Sequence, residues 1–334
     1  MIQHDMLGDA PTRSAIPLLN FEPVADDVRA EVLAGLSGER KTLPCKLFYD
    51  QRGSELFDAI CELPEYYPTR TELAIMRRHA RAMAGVIGPR ALLVEYGSGS
   101  SLKTRVLLDH LVDPAGYVPI DISCEHLMTA ARTLATQYPH LAIKPVCADY
   151  TKPFWLPHFE DEAPAKTVAY FPGSTIGNFE PADALTFLNS VRETCGPGSG
   201  LLIGVDLKKD PHTLHAAYND ADGITADFNL NILRHINQEI GSSFNADAFA
   251  HYAFYSPTVG RIEMHLLSLR PQRVDLGEGA EAEFAGGESI HTESCHKYTL
   301  DSFEALAVAA GYRRGNVWTD DRNYFSVHYL VAAR

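Results

Sequence analysis

The chain has 334 residues, 46% of them apolar, which is enough for one large domain or two with a substantial core. Its net charge of −14 and the lack of any basic run argue against a nucleic-acid partner, because phosphate binding depends on clustered lysine and arginine. Residues 1–20 lack the regions of a signal peptide, and no apolar stretch is long enough to span a membrane. We therefore expect a cytoplasmic protein without a membrane partner, predict no obligate protein partner, and expect a mobile tail over residues 1–20.

Six cysteines are scattered along the chain, and none of them forms a Cys-x-x-Cys pair. Scattered thiols in a chain of this length are typical of a reducing cytosol. We therefore expect free thiols rather than a disulfide framework.

Three apolar runs in the first half of the chain end in acidic residues. The first, Leu92–Glu95, leads into a turn with glycines at Gly97 and Gly99, and the others are Tyr117–Asp121 and Ile143–Asp149. Such runs are typical of buried parallel strands, and helical segments separate them. Alternating strands and helices predict an α/β protein with a doubly wound sheet, which binds ligands at the carboxyl ends of its strands.

The remaining elements continue this sheet toward the C-terminus. Helical spacing of apolar residues predicts helices over Pro181–Thr194 and Leu300–Ala310. Further apolar runs predict four more strands, the last two of them an antiparallel pair: Thr167–Phe171, Leu201–Asp206, Tyr312–Thr319 and Tyr324–Ala332.

Two segments are not needed for that sheet. We predict that residues 21–72 and 208–296 join as a second, α+β domain that binds the substrate. Residues 73–207 and 297–334 then form the domain that binds a nucleotide-like ligand. Within the longer extra segment, an apolar stripe predicts a helix over Gly223–Ile240, and antiparallel strands follow it.

The strand ends favour S-adenosylmethionine over a dinucleotide as the bound cofactor. The dinucleotide motif needs a third glycine, and that position is Leu102 here. In the S-adenosylmethionine interpretation the glycine turn faces the methionyl part, Asp121 binds the ribose, and Asp149 accepts from the adenine amine, with Tyr150 beside the ring. Each acid could instead merely cap the next helix, but three acids at corresponding strand ends favour a cofactor.

Several long motifs carry a further signal, and they read LPCKLFYDQRGSELFDAICELPEYYPTRTE (Leu43–Glu72), VEYGSGSSLKTR (Val94–Arg105), FPGSTIGNFEP (Phe171–Pro181), AAYNDADGITADFNLNIL (Ala216–Leu233) and HTESCHKYT (His291–Thr299). With the WTD…FSVHYL ending, they resemble the L-histidine Nα-methyltransferases of ergothioneine biosynthesis and related fungal enzymes that act on an indole amino acid. The resemblance implies a class I methyltransferase domain with a Rossmann-like sheet and S-adenosylmethionine as methyl donor. It also implies a small amino-acid substrate, histidine, methylated on its α-nitrogen up to the trimethylated betaine, hercynine.

The resemblance extends to individual site residues. The cofactor positions of the family correspond to Gly97, Lys103, Asp121, Asp149 and Tyr150, with Lys103 as a partner for the methionyl carboxylate. The amino-acid positions correspond to Tyr66, Asn178, Tyr218, Glu293, Ser294 and Cys295. Asn178 and Tyr218 can donate hydrogen bonds to an α-carboxylate. Tyr49 corresponds to a tyrosine near the reacting amine, and Tyr49 or a water is the candidate for assisting its deprotonation.

The segment His291–His296 admits two interpretations. If it is extended, alternation places His291, Glu293 and Cys295 on one face, where they could hold a metal. Side chains two apart on a strand begin about 7 Å from each other, and methyl transfer to an amine needs no metal, so we predict none. Glu293 is expected instead to accept a hydrogen bond from the imidazole of histidine. The family usually has serine where this chain has Cys295, whose thiol is a weaker hydrogen-bond partner.

Other functions share part of this pattern. A nucleic-acid methyltransferase favours an Asn/Asp-Pro-Pro-aromatic turn after the fourth strand, where this chain has Phe171–Ser174. A nicotinamide oxidoreductase is disfavoured by Leu102. A non-enzymatic S-adenosylmethionine-binding regulator does not need Asn178, Tyr218 and Glu293. The sequence therefore predicts an amino-acid N-methyltransferase, with histidine as the first candidate substrate and another aromatic amino acid, such as tryptophan, as the alternative.

Overall fold

The computed structural model of the protein describes residues 16–21, 25–99, 101–159 and 163–333. Its α-helices are α1 (Ala25–Ser37), α2 (Gln51–Glu62), α3 (Tyr67–Ile87), α4 (Leu102–Leu108), α5 (Cys124–Gln137), α6 (Pro181–Cys195), α7 (Pro211–Ala217), α8 (Ile224–Ile240) and α9 (Leu300–Ala309). Its strands are β1 (Leu19–Phe21), β2 (Lys41–Thr42), β3 (Ala91–Tyr96), β4 (Gly116–Asp121), β5 (Val146–Ala148), β6 (Lys166–Phe171), β7 (Gly200–Asp206), β8 (Phe249–Ser256), β9 (Arg261–Ser268), β10 (Gln272–Asp275), β11 (Glu281–Phe284), β12 (Ser289–His296), β13 (Tyr312–Thr319) and β14 (Phe325–Ala332). Short 3-10 turns lie at Cys45–Phe48, Thr175–Asn178 and Ala246–Ala248.

The larger sheet has the strand order β1-β5-β4-β3-β6-β7-β14-β13. Neighbouring strands from β1 to β7 are parallel, and β14 is antiparallel to both β7 and β13. The chain adds β4 and β5 on one side of β3 and then crosses to add β6 and β7 on the other. A ligand site is expected at such a switch point, outside the carboxyl ends of the strands. The predicted doubly wound sheet with a final antiparallel pair is confirmed.

The central strands are apolar on both faces, which explains why they appear as unbroken runs in the sequence. Along β3, Leu92 and Val94 pack in one apolar cluster, while Leu93 packs in another. Successive side chains of a strand point to opposite faces, so each face of the sheet is covered.

Two expectations about this sheet need correction. Residues 1–15 of the predicted tail lie outside the described residues, but Leu19–Phe21 pairs in parallel with β5 and is therefore part of the sheet. The strand expected over Ile143–Asp149 is shorter, since regular pairing begins at Val146 and Ile143 makes only an isolated bridge to Tyr117. Pro145 has no backbone N–H for the ladder, which accounts for the later start.

The second sheet has the order β2-β12-β9-β8 and joins the two extra segments. Strand β2 comes from the first segment and pairs with β12 from the second. One apolar cluster contains side chains of both, among them Phe48, Ile232 and Leu266. The two segments therefore share a sheet and a core, while the exact domain boundaries stay a prediction.

A disulfide joins Cys124 and Cys147, which corrects the expectation of free thiols. Cys124 begins α5, directly after β4, and Cys147 lies in β5 opposite Asp121 of β4. This pairing brings the two Cα atoms to 5.3 Å, a normal disulfide separation. No short spacing motif marks the pair, because the contact depends on strand pairing. The other four cysteines are free.

None of the helices in the described part of the chain is both long enough and apolar enough to cross a membrane.

Candidate functional site

Asp121 closes β4 and lies at the switch-point edge of the larger sheet. Its Oδ2 accepts a hydrogen bond from the Gly99 backbone N–H at 3.2 Å, and its Oδ1 accepts from the Ser123 N–H at 3.0 Å. Each oxygen keeps a lone pair for a further donor. Asp121 thus anchors the glycine turn and remains able to accept from two hydroxyl groups, as a ribose requires.

Asp149 follows β5, next to Asp121 along the same edge. Its Oδ2 pairs with Lys46 Nζ at 2.8 Å, and its Oδ1 accepts from the backbone N–H of Thr151 at 3.0 Å. Although burial raises the pKa of Asp149, its hydrogen bonds to Lys46 and Thr151 lower it below the usual value. Asp149 is therefore an ionised acceptor at neutral pH. Lys46 was not predicted as a site residue, and it connects the first extra segment to this edge.

Lys103 lies near the start of α4, where the glycine turn ends. Its Nζ is 2.6 Å from Glu72 Oε2, and the same oxygen accepts from the Gly173 backbone N–H at 2.9 Å. Glu72 is fully buried, so this carboxylate holds the Lys103 ammonium in place beside the turn. Sequence reasoning did not single out Glu72, although it ends the first of the long motifs.

The turn after β3 is suited to close contact with a polar ligand. Gly97 has φ 72°, a conformation that glycine adopts without steric cost. The Ser98 hydroxyl is buried and has no hydrogen-bond partner among the described residues. Buried hydroxyls are normally satisfied, so this one fits a cofactor lying over the turn. Glu95, in contrast, is buried, and its Oε2 accepts a hydrogen bond from the Thr104 hydroxyl at 2.6 Å. Burial raises the pKa of Glu95 to about 8. Glu95 therefore has a structural role.

Tyr150 follows Asp149 and forms part of an aromatic wall. Its ring centroid lies 6.0 Å from that of Tyr96, 5.9 Å from that of Phe171 and 5.7 Å from that of Phe187. Packing on several sides fixes the ring orientation. The wall therefore offers a rigid aromatic surface beside Asp149.

A cavity lies between the carboxyl ends of β6 and β7 and the second sheet. It contains about 370 Å³ of space that no protein atom occupies, part of it open to solvent. The lining brings together Tyr49, the predicted catalytic candidate, and five of the six residues predicted for the substrate site: Tyr66, Asn178, Tyr218, Glu293 and Cys295.

Four of these cavity side chains make no hydrogen bond with any described residue. They are the hydroxyls of Tyr49 and Tyr66, the amide of Asn178 and the carboxyl of Glu293. Asn178 ends the 3-10 turn after β6, which places its amide at the sheet edge. These groups all line one cavity and are available for hydrogen bonding, so together they suit a ligand with several polar groups of its own.

Burial raises the pKa of Glu293 to about 7, while the Lys297 charge lowers it. Burial is also the main cause that raises the pKa of Tyr49 well above its usual value, and the Glu293 charge adds to it. The Tyr49 hydroxyl therefore keeps its proton at neutral pH. Its position supports hydrogen bonding to a ligand rather than accepting a proton from one.

The part of the cavity around Tyr218 contains two residues that sequence reasoning missed. Lys297 Nζ is 3.1 Å from the Tyr218 hydroxyl, 3.1 Å from Cys295 Sγ and 2.8 Å from Asp206 Oδ2. Lys297 lies two positions after Cys295 in the motif HTESCHKYT, and Asp206 is the last residue of β7. The Cys295 thiol thus lies with Tyr218 and Lys297, rather than against the Glu293 carboxyl.

The segment His291–His296 is a strand, but it is not regular. A β-bulge between His291 and Glu293 shifts its register against β9. The expectation of His291, Glu293 and Cys295 on one face is therefore wrong for His291, whose Nε2 lies 3.1 Å from the Ser294 hydroxyl. Ser294 also donates to Glu180 and is not among the cavity lining. Within the described residues, no group of three or more His, Cys, Asp or Glu side chains could hold a metal ion.

The family model described as histidine-specific methyltransferase, SAM-dependent, matches residues 28–332. The chain belongs to this family. The histidine N-alpha-methyltransferase of Mycolicibacterium smegmatis is 39% identical over 325 residues, which cover 96% of this chain and 99% of that protein. Family membership identifies an S-adenosylmethionine-dependent methyltransferase and confirms the predicted class I methyltransferase fold, activity class and cofactor.

Two more distant relatives show the range of this similarity. Ergothioneine biosynthesis protein 1 of Neurospora crassa is 34% identical over 315 residues, which cover 88% of this chain and 33% of that longer protein. The 4-dimethylallyltryptophan N-methyltransferase of Aspergillus fumigatus is 27% identical over 329 residues, 92% of this chain and 95% of that protein.

Replacing Asp121 with alanine tests the cofactor site. We expect S-adenosylmethionine to bind at least about tenfold more weakly, because the ribose hydroxyls lose their anionic acceptor, a change of roughly 1.4 kcal/mol or more. Isothermal titration calorimetry measures the affinity, and Glu125→Ala, an exposed acid in the first turn of α5, is the control. Unchanged affinity in a folded Asp121→Ala variant would show that the ribose does not bind here.

Proposed function

We propose that this protein transfers methyl groups from S-adenosylmethionine to the α-nitrogen of L-histidine, up to the trimethylated betaine hercynine, in ergothioneine biosynthesis. The observation that carries the proposal is the cavity beside the cofactor edge. In this cavity, four side chains have no hydrogen-bond partner among the described residues: Tyr49, Tyr66, Asn178 and Glu293. A histidine molecule has an amine, a carboxylate and an imidazole with which they can form hydrogen bonds. Family membership and the 39% identity to a histidine N-alpha-methyltransferase support the same substrate.

The charges in the cavity support one orientation of the amino acid. Tyr218 and Asn178 supply hydrogen-bond donors in the lining, with Lys297 directly against the Tyr218 hydroxyl. These donors suit the α-carboxylate. Glu293 supplies the carboxyl for the ring N–H, and its pKa of about 7 lies close to that of imidazole, so the two groups can share a proton.

The residues of the chain contribute to methyl transfer mainly by orientation. Bound S-adenosylmethionine supplies a methyl group on an activated sulfonium. Holding the amine in line with such a group can contribute roughly 7–11 kcal/mol to the barrier reduction. The amine must lose a proton first, and because Tyr49 retains its own proton, we assign the acceptor role to water. Tyr49 can then hold the neutral amine through its hydroxyl while the carboxylate and ring stay anchored.

The proposal includes the partners and location expected from the sequence. The substrate is a small amino acid, and no protein, nucleic-acid or membrane partner is needed for the reaction. A cytoplasmic location is part of the proposal and is checked by cell fractionation with antibody detection.

Mass spectrometry tests the substrate directly. The protein is incubated with methyl-labelled S-adenosylmethionine and all twenty amino acids together. We expect label on histidine alone, in steps up to three methyl groups, with fragment ions that place them on the α-nitrogen. The Asp121→Ala variant is the matched control. Ring-methylated histidine would contradict the proposal, and label on tryptophan instead of histidine would favour the alternative substrate.

Cys295→Ser tests how the departure from the family pattern affects the amino acid. A hydroxyl is a stronger hydrogen-bond partner than a thiol, and a neutral hydrogen bond contributes about 0.5–1.5 kcal/mol. Because Lys297 Nζ lies 3.1 Å from Cys295 Sγ, a hydroxyl oxygen at this position accepts from Lys297 and leaves its own proton for the substrate carboxylate. We therefore expect histidine affinity to improve about two- to tenfold, with cofactor affinity unchanged. Cys195→Ser, at the end of α6, is the control. If histidine and tryptophan affinities both stay constant, residue 295 does not help to select the substrate.

A further inference from the structure

A buried charge cluster lies beside the cavity and consists of Asp206, Lys209, Lys297 and the hydroxyl of Tyr67. Asp206 pairs with Lys297 at 2.8 Å and with Lys209 at 2.5 Å, and it accepts from the Tyr67 hydroxyl at 2.6 Å. The side chains of Asp206 and Lys297 are 1% exposed and that of Lys209 is 3% exposed. Two lysines share one carboxylate, so the cluster carries an excess positive charge when both are protonated.

Lys297 determines the hydrogen-bond direction of Tyr218. An ammonium has three N–H donors and no acceptor, so the Tyr218 oxygen, 3.1 Å from Lys297 Nζ, must accept in this contact. The Tyr218 proton then points to another acceptor, and in this structure that acceptor is the Cys295 sulfur at 3.1 Å. Sulfur is a weak acceptor, so an oxygen anion in the cavity would be a better one.

We propose that Lys297, held by Asp206, is a positioning residue that fixes Tyr218 as a hydrogen-bond donor to the carboxylate of the amino-acid substrate. The inference rests on the proposed function, since it requires an amino acid in the cavity. The excess positive charge attracts the carboxylate to the Tyr218 side of the cavity. Burying a second lysine on one aspartate is costly, and a buried anionic ligand offsets that cost. Lys209 contacts Tyr67 rather than Tyr218, so it contributes charge but no orientation.

The test compares two ligands that differ in the carboxylate. Histidine carries it, and histamine has the same ring and amine without it. In Lys297→Met, we expect histidine affinity to fall roughly tenfold or more, as for a hydrogen bond to a charged group, while histamine and S-adenosylmethionine affinities stay within about twofold. Lys209→Met is the matched control and should weaken histidine binding less. Calorimetry gives all three affinities.

A double variant shows whether Lys297 acts through Tyr218. If it does, Tyr218→Phe and Lys297→Met each reduce histidine affinity, and combining them adds little to the larger single effect. Fully additive losses would contradict positioning through Tyr218. Equal losses for histidine and histamine would also overturn the inference, because they indicate a general structural defect.

Three further outcomes are decisive. If Lys297→Met does not fold, Tyr218→Phe is used instead, since it keeps the charge cluster and must reduce the preference for histidine over histamine; an unchanged preference overturns the inference. If the wild-type protein binds histamine as tightly as histidine, the cavity does not hold the carboxylate and the inference fails. If the wild-type protein binds neither histidine nor histamine, the proposed function and the inference both fail. This outcome differs from equal binding of the two ligands, which overturns the inference alone.

Discussion

Replacing Asp206 with asparagine should lower the free energy of unfolding by about 3–5 kcal/mol, the usual cost of breaking a buried ion pair by removing one partner. The change leaves Lys209 and Lys297 buried without their shared anion. Burial raises the pKa of Asp206, but the two ammonium groups outweigh it and lower the pKa below its usual value. The stabilisation by Asp206 is therefore present above the unfolded pKa of about 4 and is lost as pH falls through the lower folded pKa.

Urea denaturation at pH 7 and at low pH measures this effect. Asp321→Asn is the matched control, because Asp321 pairs with Arg78 at a similar distance of 2.8 Å but is 87% exposed. An exposed pair of this kind contributes about 0–1 kcal/mol. Equal losses in the two variants would show that burial of the Asp206 cluster adds nothing. Combining Asp206→Asn with Lys209→Met should restore part of the stability, since one unpaired ammonium is removed.

Replacing Glu293 with glutamine should stabilise the free protein at alkaline pH and weaken its binding of histidine. Burial raises the pKa of Glu293 from 4.5 to about 7, so the folded state holds this proton more tightly than the unfolded state. The stability contribution of Glu293 is therefore lost as pH rises from 4.5 through 7. At pH 8, the Glu293→Gln variant should be more stable than the unsubstituted protein by up to roughly 3 kcal/mol, the free energy that corresponds to this pKa shift. The gain should vanish near pH 4.

Denaturation curves at pH 8 and pH 5, with histidine titrations at pH 7.5, check both parts of this prediction. Glu39→Gln is the control, because Glu39 is exposed and surface changes of this kind stay within about 0.5 kcal/mol. A gain that is equal at both pH values would contradict the role of the buried charge. Unchanged histidine affinity would mean that Glu293 does not contact the imidazole.

The strand ends of the proposed cofactor site were largely predictable from local sequence. The run Leu92–Glu95 with the glycines after it predicted β3 and its turn, and the acids Asp121 and Asp149 were predicted at strand ends where the structure has them. These features depend on neighbours in the chain, because a buried parallel strand must be apolar over its whole length. The predicted residues of the amino-acid site depended on the family resemblance, and the cavity brings most of them together.

The groups that hold the site residues were not predictable in the same way. Lys46 pairs with Asp149 across 103 positions of sequence, and Glu72 accepts from Gly173 across 101. Nothing local in the sequence distinguishes a buried lysine or glutamate of this kind from an exposed one. The bulge next to Glu293 was missed for a related reason, since it is a property of pairing between β9 and β12.

By itself, the sequence determined the sheet class, the succession of strands along the chain, the acids at the strand ends and the family. Those features follow from apolar periodicity, glycine turns and motifs, all of which are local. Only the tertiary structure decided that Lys297 and Asp206 lie behind Tyr218, that Ser294 lies outside the cavity, and that Cys124 and Cys147 are joined. The physical reason is that burial and pairing partners are set by packing between distant segments, and a residue's charge has its effect only in that environment.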